Sequence, residues 1–138
     1  MKNILEIGLL LAAAGQVCIA ILNLGLIRIM GWKEDLARVR LLVRQVFQIH
    51  AWFISLTLLI FAALTFRFAG EMALGAQPVY RWIACSTGAF WAIRAVLQAS
   101  YYSSSHWRGI PLRTAAHIIL LVVYSGFAAV YLTGGLGK

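Results

Sequence analysis

Residues 4–30 read ILEIGLLLAAAGQVCIAILNLGLIRIM. As a helix this run rises about 40 Å, more than the roughly 30 Å of a bilayer's hydrocarbon core. Its charges, Glu6 and Arg28, stand near the two ends. A secretory signal has an apolar stretch of only about 7–15 residues. Gly15-Gln16-Val17-Cys18 is also a poor lipoprotein cleavage box, because Gln and Val replace the small residues. The run is therefore expected to be an uncleaved first span.

Three further runs have the same character: Val43 to Phe66, Val79 to Ala99 and Leu112 to Leu132. None alternates in polarity over about 10 residues, as strands of a membrane β-barrel do. The remaining way to satisfy backbone groups in lipid is the helix. The expected fold is an all-α membrane protein, a four-transmembrane-helix bundle formed as a single domain by residues 1–138.

Composition agrees. Of 138 residues, 62% are hydrophobic and 12% charged, about half the charged fraction of a soluble domain. The net charge of +8 would suggest nucleic acid in a soluble protein. Here the cations flank apolar runs, which points to lipid phosphates and away from nucleic acid. Arg28, Lys33, Arg38, Arg40 and Arg44 form the densest group, a candidate surface for anionic phospholipid. Cys18 and Cys85 each lie within an apolar run and in no CxxC pair, so they read as packed thiols.

The links are short. Gly31 ends the first run, and Glu34 and Asp35 suit the start of a helix that would continue to Phe66. Gly70, Gly75 and Pro78 punctuate the next link, and Ser103 to Ser105 with Gly109 the last; Pro111 suits a first helical turn. Arg28, Lys33, Arg38, Arg40, Arg44, Arg108 and Arg113 border the first and third links, against Lys2, Arg67, Arg81 and Lys138 on the other side. By the positive-inside rule both links are cytoplasmic and both termini outside, in a bacterial-type inner membrane. Trp32, Tyr80, Trp82, Tyr101, Tyr102 and Trp107 stand near run ends, where interfacial aromatics belong.

An echo links the halves. Phe61-Ala62-Ala63-Leu64 follows His50, and Phe127-Ala128-Ala129-Val130 follows His117, at nearly equal distance. Two related hairpins would produce it, and so would the frequency of Ala and Phe in spans.

Polar residues in lipid normally face a bundle's interior, and here they align. Gln16 and Asn23 share a face of the first helix. Thr87, Trp91, Arg94 and Gln98 share one of the third, and Thr114, His117, Tyr124 and Tyr131 one of the fourth. The second helix has two such faces, His50 with Thr57, and Gln45, Gln48, Trp52 and Ser55. Gln48 and His50 point about 200° apart, and the sequence does not choose between them. His50, Arg94, Gln98, His117 and Asn23 all fall in the cytoplasmic half.

Two histidines at one depth are a possible ligand pair for a b-type haem; the plainer account is hydrogen bonding between helices. No carboxylate lies at their depth to complete another metal site. Arg94 costs at least about 2.5 kcal/mol near a span's centre. It either snorkels to head groups or contacts an anion or carbonyl. There is no nucleophile elbow, phosphate loop or carboxylate pair, so an enzyme is not the leading expectation. Glu6 is the one candidate for proton-coupled transport and stands at a span's edge. Gly8 with Ala12, and Ala84 with Gly88 and Ala92, permit close packing within the bundle or between protomers.

The leading expectation is a polar pocket in the cytoplasmic half that binds an anionic or amphipathic small molecule, such as a lipid head group, quinone or metabolite. Arg94 would anchor it, with Gln98, His117, Asn23, Tyr124 and either His50 or Gln48 as partners and Trp91 as a wall. The alternatives are a haem protein using His50 and His117, a structural subunit of a membrane complex, and a small transporter protomer.

Overall fold

A computed structural model describes residues 2–75, 77–101 and 111–137, and every regular element among them is an α-helix. In chain order these are α1 (Lys2–Ile29), α2 (Lys33–Arg38), α3 (Leu41–Leu74), α4 (Pro78–Ser100) and α5 (Pro111–Leu136). Helices α1, α3 and α5 are each long and apolar enough to cross a membrane, as the spans of an integral membrane protein are. Helix α4 has 23 residues, about 35 Å. Arg81, Thr87, Arg94 and Gln98 make it the least apolar of the four long helices. Tyr102 to Ile110 and Lys138 lie outside the described residues, and with them the aromatic, serine and cation readings made there.

Two boundaries differ from expectation. The helix foreseen from Asp35 to Phe66 is broken at Val39, whose backbone is extended (φ −86°, ψ 158°) and ends the six-residue α2. A β-branched residue leaves a helix at little cost. At the other end α3 runs on through Gly70 to Leu74, with one non-helical residue at Phe68 (φ −123°, ψ 17°). The stop falls instead at Gly75, at φ +59°, where its N–H bonds the Glu71 carbonyl at 3.0 Å. Helix α1 closes with a Schellman motif. Trp32 N–H bonds Ile27 O at 3.0 Å and Gly31 N–H bonds Arg28 O at 3.3 Å, with Gly31 at φ +69°.

The chain forms two compact units, Leu10–Arg67, and Met1–Leu9 with Phe68–Lys138. The first is an antiparallel hairpin of α1 and α3. Ser55 Oγ donates to Ala20 O (3.1 Å) and Ala51 O (3.0 Å), while Asn23 Nδ2 donates to Ala51 O (2.8 Å) and Ser55 Oγ (2.9 Å). Three of these cross between the helices and fix the register of the hairpin, where no hydrophobic force distinguishes helix from lipid.

The second unit is built on the antiparallel pair α4 and α5. Their crossing is close because glycines stand at it. A Cβ on Gly88 would come within 2.9 Å of Leu132, and one on Gly135 would collide with Cys85 Sγ and lie 2.8 Å from the Cys85 nitrogen. Arg81 Nε donates to Gly135 O at 3.0 Å, a cation on the carbonyl end of α5. The Phe68 and Tyr80 rings, 5.2 Å apart, tie the end of α3 to the start of α4.

Candidate functional site

The α4–α5 pair gathers five of the residues singled out above: Trp91, Arg94 and Gln98 from α4, His117 and Tyr124 from α5. The polar faces of the two helices meet because 3.6-residue periodicity puts Trp91, Arg94 and Gln98 on one side of α4, and the antiparallel course of α5 brings Tyr124 and His117 alongside in that order. Trp91, 1% exposed, stacks on Tyr124 with centroids 5.2 Å apart, and meets Phe127 edge-on at 4.9 Å. Arg94 lies with Cζ 5.0 Å from the Tyr124 ring centroid. Aromatic pairs stabilise by about 0.5–1.5 kcal/mol each, and a cation over a ring by about 0.5–2 kcal/mol as water is withdrawn. These contacts hold the guanidinium at the seam between the helices.

One turn further along α4, Gln98 Nε2 is 2.9 Å from His117 Nδ1. The amide N–H donates to the ring nitrogen, which accepts in the tautomer that leaves Nδ1 bare. Gln98 is 5% exposed, and its Oε1 is buried with no hydrogen-bond partner among the described residues. A buried acceptor left unsatisfied costs about 1–3 kcal/mol. The seam therefore holds a buried acceptor, without a partner among the described residues, beside an imidazole and one turn from a guanidinium.

Asn23, Gln48 and His50 belong to the α1–α3 hairpin. Here the structure chooses between the two faces of α3. Ser55 is buried against α1 and bonded to Asn23. Gln48 and Trp52 from the same face border a groove of about 340 Å³ with Asn23, Leu24, Ile27 and Ala51. His50 is exposed, its Nδ1 2.9 Å from the Val46 carbonyl of its own helix. Thr57 Oγ1 likewise bonds Phe53 O at 2.8 Å. The haem reading rests on His50 and His117, which fall in different units, each engaged through Nδ1. No three His, Cys, Asp or Glu side chains gather as potential metal ligands among the described residues.

Sequence reasoning placed Ser55 on the Gln48 face without making it a site residue, yet it is the hub of the α1–α3 lock. Phe127 passed as part of an Ala-rich repeat. Its spacing of three from Tyr124 was the available signal, since residues i and i+3 share a helix face.

No family model matches the chain, and no curated protein or solved structure matches it either.

Proposed function

We propose that this is a four-span membrane protein whose α4–α5 seam binds a small amphipathic molecule carrying both an anionic or carbonyl group and a hydrogen-bond donor. The carrying observation is the buried Oε1 of Gln98, which has no hydrogen-bond partner among the described residues. Arg94 supplies the anion contact, Gln98 Oε1 accepts from the ligand's hydroxyl or amine, and Trp91 and Tyr124 form an aromatic wall. His117 holds the Gln98 amide in place by accepting its N–H.

Helix α4 is the fourth span in this reading. Its 23 residues reach across about 30 Å of hydrocarbon. Its less apolar residues are largely withdrawn: Thr87, Trp91 and Gln98 are buried, and Arg94 is half-buried over Tyr124. Val79, Trp82, Ile93, Val96 and Leu97 are exposed and apolar, as a lipid-facing side must be. The basic α1–α3 link lies on the cytoplasmic side, with both termini outside.

The test is mass spectrometry of what the protein carries out of the membrane in mild detergent. Wild-type protein retains a stoichiometric amphipathic molecule and an Arg94→Leu variant loses it. Equal retention by the two proteins excludes Arg94 as the anchor.

A further inference from the structure

A different place on the molecule carries its own implication. The α1–α3 groove, about 340 Å³, has Leu24, Ile27 and Trp52 as apolar surface and Asn23 and Gln48 as polar surface. Asn23 spends both amide hydrogens on Ala51 O and Ser55 Oγ, so its Nδ2 belongs to the hairpin's lock. Gln48 is exposed and brings two N–H donors to the groove wall. Trp52 is 70% exposed and also lines the groove.

The cations lie just beyond. Arg28 follows Leu24 by one turn on α1, and Arg44 precedes Gln48 by one turn on α3, both toward the α1–α3 link. That link adds Lys33, Arg38 and Arg40 against Glu34 and Asp35. It is held down on α3 by the Trp32 ring, 6.3 Å from that of Phe47 at an interplanar angle of 68°. Along α3 the order is thus guanidinium, amide donor, indole, with Arg44, Gln48 and Trp52 one turn apart, and Arg28 adjoins Ile27 across from Gln48. A diacyl phospholipid presents its groups in the same order, with phosphate outermost, then ester carbonyls, then acyl chain.

We infer that this groove is a seat for one anionic phospholipid. Its phosphate meets Arg28 and Arg44, an ester carbonyl accepts from Gln48, and an acyl chain lies along Leu24, Ile27 and Trp52. The charge complement selects an anionic head group over a zwitterionic one, because each nearby cation strengthens attraction to a net negative lipid. The seat is independent of the α4–α5 seam and of whatever that seam binds.

The test uses the full-length protein in mild detergent and two probes, phosphatidylglycerol and phosphatidylcholine, each brominated on an acyl chain to quench tryptophan. Subtracting the signal of a Trp52→Phe variant isolates quenching at Trp52. The expected result is half-maximal quenching at a mole fraction at least about fivefold lower for phosphatidylglycerol. Preference disappears in R28Q/R44Q, whereas Gln48→Leu weakens both lipids and keeps the order. Excess soluble glycerol phosphate leaves the quenching unchanged, which separates a lipid seat from a free phosphate site. Equal quenching by the two lipids, a preference that survives R28Q/R44Q, or competition by glycerol phosphate would overturn the inference.

Discussion

Gln98 on α4 and His117 on α5 share one hydrogen bond, 2.9 Å from Nε2 to Nδ1, and the other end of the Gln98 amide is buried with no partner among the described residues. The pair is a mutual orientation device. The imidazole fixes the amide, and the fixed amide presents a bare oxygen to the seam.

If the bond is formed in the membrane, Gln98→Ala and His117→Ala are coupled. A double-mutant cycle on unfolding in mixed micelles gives a coupling of about 0.6 kcal/mol, and up to about 1.7 kcal/mol, the range for hydrogen bonds between membrane helices. Additive effects of the two changes contradict the bond.

The Arg94–Tyr124 contact separates ring from hydroxyl. Tyr124→Phe keeps a ring under the guanidinium and loses less stability than Tyr124→Leu, which loses the cation contact and the stacking on Trp91, together about 1–3 kcal/mol. The same unfolding measurement distinguishes them, and equal losses would show that the ring face is not what holds Arg94.

Glycine substitutions read the crossing of α4 and α5. Gly88→Ala puts a methyl within 3.0 Å of the Leu132 backbone nitrogen as well as its side chain, an overpacking cost of about 1–3 kcal/mol. Gly126→Ala meets nothing within 4 Å and gains up to about 1 kcal/mol from helix propensity. Thermal unfolding of the two variants therefore moves in opposite directions.

In the other unit, Ser55→Ala removes the acceptor for Asn23 and the donor to Ala20 O. It costs about 1–2 kcal/mol, and Asn23→Ala in the same background adds less than it does alone, since the two side chains form one network.

Much of this was legible in the sequence, because lipid simplifies the problem. Length and apolarity gave each long helix to within a few residues, except where α3 outran Phe66 and where Val39 separated α2 from it. Those exceptions depend on local backbone geometry, at Phe68, Val39 and Gly75, which hydropathy does not register. The α4 and α5 stripes were readable because each helix has one polar face, so Trp91, Arg94 and Gln98 had a single direction in which to meet Tyr124 and His117. Helix α3 has two polar faces, so Gln48 and His50 were equivalent until the bond from Asn23 to Ser55 and the bond from Ser55 to Ala20 O decided the rotation. The buried oxygen on Gln98 was beyond sequence altogether, because it depends on which end of one amide His117 occupies.

Arg94 and Gln98 face a bilayer interior only if α4 crosses the membrane. Gln77 caps the start of α4 and Ser100 ends it, and each can be replaced singly by cysteine in a protein where Cys18 and Cys85 have been changed to alanine. An impermeant maleimide applied to intact cells labels Gln77→Cys and reaches Ser100→Cys only after lysis if α4 is the fourth span with the basic links inside. Labelling of both positions from the same side would contradict it.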